Sequence, residues 1–149
     1  MIKSLIIFLA ASVGIFIIDQ NLKSLFLNGF RWNGEYISLI LVFNKGVAFS
    51  MFSFLKEYLK YIQLGIFIAI SFYLFFNREI FYRYSLPLGI LYGAGLSNVY
   101  DRFVHGGVVD YIYWHKWFDF AVFNFADVMI DLSVALILFI SYKRRGEEV

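Results

Sequence analysis

"VFNFADVMIDLSVALILFISYKRR", residues 122–145, is the stretch on which the fold turns. From Val134 to Ile140 it is unbroken hydrocarbon, and it closes on Lys143, Arg144 and Arg145. A helix over about residues 120–142 is long enough to cross a bilayer, which takes ~17–25 residues. The basic triplet beside it is a positive-inside flank. Yet the stretch opens with two acids, Asp127 and Asp131. An ionised carboxylate at the centre of a membrane costs ~2.5–3.5 kcal/mol even on the milder scales. Either this segment lies outside a membrane, or its acids serve a purpose.

Composition favours the membrane. Of the 149 residues, 61% are hydrophobic, 22% aromatic and 16% charged. Soluble domains run nearer ~45–50% apolar and ~25% charged, and a soluble core of this size cannot hide so many aromatics. The net charge of +2, with basic residues scattered rather than striped, excludes a nucleic-acid partner. Cysteine is absent, which rules out disulfides, thiolate metal sites and cysteine nucleophiles. His105 and His115 are the only histidines, so no metal or other cofactor is expected.

Working outward, the chain divides into apolar stretches at about 5–27, 58–76, 84–101 and 120–142. The reading is an all-α membrane protein, a single domain over 1–149 with four transmembrane helices. The first stretch, with Lys3 before it, resembles a signal peptide, but no small-residue cleavage site leads into a soluble domain; it reads as a retained helix. Short basic segments holding Lys3, Arg78, Arg83 and the Lys143–Arg145 tail place both termini in the cytoplasm. The longer segments, about 28–57 and 102–119, then face outward. "EYISLILVFNKGVAFSMF" (35–52) reads as two short strands around Asn44-Lys45-Gly46. Trp114 and Trp117 flank His115 and Lys116 in an interfacial pattern. The outer face is therefore expected to carry a small β-sheet or cradle.

Polar clusters interrupt the apolar pattern toward the outer helix ends. In "DQNLK" (19–23), Asp19 precedes Lys23 by four, the favoured order for a helical ion pair; it suits a surface anchor or a supporting role in a site. "NKGVAFS" (44–50) suits a plain turn as well as a site loop, and beside the site's mouth it suits a lid. In "GAGLSNVYDRF" (93–103), Gly93 and Gly95 permit close helix approach, while Asn98, Asp101 and Arg102 share one face at i, i+3, i+4. Arg102 either neutralises Asp101 or donates to another carboxylate. Asp110 follows two valines, and Asn124, Asp127 and Asp131 form one stripe of the last helix, with Asp131 ~6 Å deeper than Asp127.

The chemistry follows by elimination. There is no GxSxG, no trustworthy Ser/His/Asp set and no HExxH. Two neighbouring aspartates cannot both ionise easily, so they share a proton and one serves as base while the other serves as acid. Such a pair activates water against an amide and protonates the leaving nitrogen, and low-dielectric surroundings strengthen the coupling.

Taken in order, Asp19-Gln20-Asn21-Leu22-Lys23, Asn44-Lys45-Gly46-Val47-Ala48-Phe49, Asn98-Val99-Tyr100-Asp101-Arg102, Val109-Asp110-Tyr111 and Phe123-Asn124-Phe125-Ala126-Asp127 resemble the motifs of the signal peptidase II (lipoprotein signal peptidase) family. The resemblance spans essentially the whole chain. It implies an aspartic endopeptidase of the bacterial cytoplasmic (inner) membrane, acting at its outer face. Such an enzyme cuts diacylglyceryl-modified prolipoproteins just before the lipidated cysteine. It implies Asp110 and Asp127 as catalytic residues, with Asp19, Lys23, Asn44, Gly46, Asn98, Asp101, Arg102, Asn124 and Ala126 shaping or supporting the site. Prolipoprotein signal peptides, membrane lipid and globomycin-type peptide inhibitors are the implied partners, and a monomer is expected. The chain departs from the family pattern at Val47, at Ser97 where glycine is usual, at Tyr111 where phenylalanine is usual, and at Phe120-Ala121 in place of Trp-Pro. The pattern calls for no acid at Asp131.

Two other functions compete. A proton-conducting bundle needs ionisable groups through the full thickness of the membrane, whereas here they gather at one face. A non-catalytic scaffold would tolerate loss of Asp110 and Asp127. The GxGD signature of other intramembrane aspartyl peptidases is missing.

Overall fold

The computed structural model describes residues 1–46, 55 and 57–147, with 145–147 as backbone alone. The second strand expected after Gly46 and the segment Val47–Ser50 of the proposed lid fall outside the described residues. The chain runs α1 (Ile2–Leu27), β1 (Trp32–Asn33), β2 (Ile37–Asn44), α2 (Tyr58–Phe76), α3 (Arg78–Arg83), α4 (Ser85–Val104), β3 (Val108–Trp114) and α5 (Phe125–Glu147).

Burial is inverted relative to a soluble protein. In α1 the buried residues are Asp19, Lys23 and Phe26, while Ile6, Leu9, Val13, Ile17 and Ile18 are exposed. Water would penalise that surface and hydrocarbon would not, and in hydrocarbon only polar groups need an interior. Among the described residues, α1, α2 and the Phe125–Arg144 part of α5 are long and apolar enough to cross a membrane. The helix expected over 84–101 is present as α4, but it falls outside that group. Its sequence holds Gly89, Gly93, Gly95, Ser97, Asn98, Asp101 and Arg102, all of which lie toward the interior, because α1, α2 and α5 pack around it.

Close packing on α4 is made by its glycines. A methyl group on Gly89 would sit 2.6 Å from the carbonyl oxygen of Phe8, and one on Gly93 would strike the carbonyl of Ser12. Ser12 Oγ donates to the Gly89 carbonyl at 3.0 Å. Gly95 performs the same service toward α2, beneath the ring of Phe67.

Three strands form one antiparallel sheet in the order β1-β2-β3. The last strand comes from the second outer segment, and an irregularity between Leu39 and Val42 shifts its register against β2. Helices α1 and α4 end at this sheet, and α5 starts from it; α3, in the short basic segment of Arg78 and Arg83, lies at the opposite end.

One boundary needs correction. The last helix starts at Phe125, not near 120. Residues before it run beside β3: the Tyr111 and Ile112 N–H groups donate to the Phe123 carbonyl, Phe123 N–H donates to Ile112, and Phe120 N–H donates to Trp114. Backbone that pairs with a strand cannot also close helical turns. Asn124 is therefore a cap residue and not part of a helical stripe.

Candidate active site

The site grows from the sheet end of α4. Asn98, Asp101 and Arg102 are all buried there. A buried carboxylate such as Asp101 needs a countercharge, and α1 supplies it. Lys23 is wholly enclosed and its ammonium meets Asp19 Oδ2 at 2.6 Å, Asp101 Oδ2 at 2.7 Å and Asn98 Oδ1 at 2.8 Å. Each of its three protons is thereby used. The Asp19–Lys23 pair is buried within α1 and is not a surface anchor; Lys23 ties α1 to α4 through Asp101 and Asn98. Arg102, which the spacing allowed as the neutraliser of Asp101, instead donates from Nη2 to the Gly46 carbonyl.

The remaining acceptors of this cluster are also used. Asp19 Oδ2 accepts from Ser97 Oγ at 2.7 Å, and Asp19 Oδ1 accepts the Ala126 N–H at 3.0 Å. Asp101 accepts from Gln20 Nε2 at 2.8 Å and from the Val109 N–H at 3.1 Å. Asp19 thus ties α1 to the first turn of α5, and Asp101 ties α4 to β3. Ala126 is fully buried where its amide approaches Asp19.

Asp127 and Asp110 are held just beyond this cluster. Asn124 Oδ1 accepts the Asp127 N–H at 2.9 Å, and Asp127 Oδ2 accepts the Asn124 N–H at 3.1 Å. This reciprocal pair is a capping box with Asp127 as its third helical residue. Asp127 Oδ1 accepts from Asn98 Nδ2 at 2.9 Å. Asp110, 2% exposed on β3, accepts from Asn124 Nδ2 at 2.7 Å and from Asn44 Nδ2 at 3.0 Å. Asn124 Nδ2 also reaches Asn98 Oδ1 at 3.1 Å. The amides of Asn98 and Asn124, anchored by the Lys23 ammonium, therefore form a relay that aims one face of each carboxylate.

Burial pushes the Asp110 carboxyl up to about 7, and the negative charge of Asp127 adds to that rise. The amides of Asn44 and Asn124 and the Lys23 charge pull the other way. The charge of Asp127 thus reaches Asp110, so the two acids influence one another's protonation. Among the described residues, no three His, Cys, Asp or Glu side chains gather as a metal-holding group.

The residues singled out by their motifs all meet here. Gly46 joins through its N–H, which donates to Asn44 Oδ1 at 2.9 Å, and through its carbonyl to Arg102. Asp131 does not join; it lies exposed along α5. Motif reading missed three contributors. Gln20 Nε2 donates to Ser97 Oγ at 2.8 Å. Ser97, the departure from glycine, adds a hydroxyl to Asp19. Tyr111, the departure from phenylalanine, stacks on Phe26 with centroids 4.1 Å apart, and its oxygen accepts the Phe125 N–H at 3.1 Å. The signals were already in the sequence: Gln20 lies inside the first motif, and Ser97 and Tyr111 carry polar atoms where the family pattern has none.

Lipid-facing helices around two neighbouring carboxylates, Asp110 buried and Asp127 half-buried, define a membrane peptidase of the aspartic type. The model of the signal peptidase II family matches residues 11–143, and the chain belongs to that family. The lipoprotein signal peptidase of Wolinella succinogenes is 60% identical over 124 residues, covering 83% of this chain and 85% of that protein. That of Sulfurimonas denitrificans is 54% identical over 142 residues, covering 95% and 92%. That of Helicobacter pylori is 52% identical over 136 residues, covering 91% and 87%. A bacterial membrane enzyme solved by the in meso method at 2.3 Å superposes with a TM-score of 0.78 and 25% identity, over 99% of this chain and 92% of the other. A second, at 1.9 Å, gives 0.70 and 26%, over 92% and 90%.

Proposed function

We propose that Asp110 and Asp127 are the catalytic pair of a signal peptidase II that cuts diacylglyceryl prolipoproteins immediately before the lipidated cysteine. The enzyme removes signal peptides from lipoprotein precursors, and its reaction is hydrolysis of one amide bond. Water held between the two acids gives a proton to the ionised carboxylate as its oxygen adds to the carbonyl carbon. The protonated acid donates to the departing nitrogen, and the C–N bond breaks. No cofactor enters these steps. Asn98, Asn124 and Asn44 orient the carboxylates; Asp19, Lys23, Asp101 and Ala126 lock the helices that carry them; Arg102 and Gly46 hold the Asn44 turn.

The observation that carries this reading is the amide relay, Asp110 to Asn124 to Asn98 to Asp127, in which one fold element after another is committed to two acids. It also favours a peptidase over a proton conductor, because the acids converge at one end instead of spanning the bundle. In this reading residues 1–149 form one domain of the inner membrane. Four helices cross the membrane, α4 included, both termini face the cytoplasm and the sheet faces outward. The monomer takes its substrate sideways from the lipid, and globomycin-type peptides compete for the same groove.

The test is cleavage of a diacylglyceryl prolipoprotein by purified enzyme. Asp110→Asn and Asp127→Asn should each reduce cleavage by at least about a thousandfold, as expected when one member of an acid–base unit is lost, while the protein still inserts. Full activity in either variant would refute the assignment.

A further inference from the structure

Asp110 also lines a cavity of about 390 Å³ that lies beyond the pair, over the sheet. Its walls include Val42 and Asn44 of β2 and the extended segment Asp119, Ala121 and Val122. Besides Asp110, the charged side chain in this wall is Asp119, which no motif contains. It is exposed. Tyr113 donates its hydroxyl to Asp119 Oδ1 at 2.7 Å, which anchors the carboxylate without neutralising it. Lys116, three residues before it in the chain, pairs with Glu35. Among the described residues no cation pairs with Asp119.

The two sides of the substrate differ in polarity, and that assigns the cavity. The signal peptide is apolar and belongs along the lipid-facing helices. The mature portion is destined for water and must leave over the sheet, past Asp119. We propose that this cavity is the subsite for the residues that follow the lipidated cysteine, and that Asp119 gives it a preference for lysine or arginine there. The inference rests on the peptidase reading above.

Three diacylglyceryl prolipoproteins that differ only in the two residues after the cysteine, Lys-Lys, Gln-Gln and Glu-Glu, test it. The parent enzyme should rank them in that order by kcat/KM, with the separation in KM. An exposed charge pair supports a Lys-to-Glu ratio of about three- to tenfold at low salt, where attraction and repulsion add. High salt should shrink that ratio. Asp119→Asn, which keeps an acceptor for Tyr113, should bring the ratio to about one, and Asp119→Lys should invert it. The ratio is taken within each variant, so any general loss of rate cancels. A parent ratio of one, or a ratio that survives in Asp119→Asn, would overturn the subsite alone. Failure of the parent to cut any of the three would overturn the peptidase reading beneath it.

Discussion

Asp110 shows how a single side chain is tuned. It lies on a strand at the edge of the helical bundle, wholly enclosed, with Asp127 as a charged neighbour. Both effects favour its protonated form, which dominates below about 7 and is lost above it. The pair needs one proton to work, so kcat/KM should fall as pH rises through about 7. Asn44 opposes the shift by donating to Asp110 Oδ2. Removing that donor in Asn44→Leu favours the protonated form further, so the alkaline limb should move up by on the order of one unit, the worth of a hydrogen bond to a charged group. A pH–rate profile measures it; an unmoved limb would separate Asn44 from Asp110. The motif residues were legible in the sequence as residue types, but which oxygen each amide serves was not. Asp127 and Asp131 look alike in the chain, four residues apart. Tertiary packing gives Asp127 two donors and leaves Asp131 exposed, and nothing in the structure explains an acid at 131.

At the level of elements, the site depends on how closely α1 approaches α4. Lys23 reaches Asp101 because Gly93 and Gly89 admit the α1 backbone about two and three turns nearer the other end. Gly89→Val should separate the helices and destabilise the protein by about 1–3 kcal/mol, the usual cost of overpacking. Thermal unfolding in detergent measures this, and a parent-like Tm would show that the contact carries no weight. Gly93 and Gly95 stood out in the sequence as small residues in an apolar stretch; Gly89 did not, because its partner, the Phe8 carbonyl, is 81 residues away in the chain. The start of α5 was misplaced for a similar reason. Apolarity continues through Phe120 to Phe123, but β3 takes the backbone there, and hydrogen bonds to a distant strand leave no trace in local composition.

Viewed whole, the molecule exposes many large apolar residues and buries five charged ones, Asp19, Lys23, Asp101, Arg102 and Asp110, toward the sheet end. In the orientation proposed, Glu35 faces outward and Arg83 faces the cytoplasm. The chain has no cysteine, so Glu35→Cys and Arg83→Cys each introduce a unique label site. In intact spheroplasts a membrane-impermeant maleimide should modify the first and reach the second only after permeabilisation. The reverse pattern would invert the topology and place the pair on the wrong side for exported substrates.

Hydrocarbon length, basic flanks and an ordered set of polar motifs lie in the chain itself. They determined a helical membrane protein with a carboxylate-based site, because partition into lipid and charge placement depend on local composition. Tertiary structure alone decided the rest: that Lys23 and not Arg102 neutralises Asp101, that Asn124 caps α5, that Ser97 and Tyr111 take part, and that Asp119 shares a cavity with Asp110. Those choices are made by hydrogen-bond geometry between segments distant in sequence. A buried polar atom accepts the nearest well-aimed donor, and which donor is nearest follows from how the helices and the sheet meet.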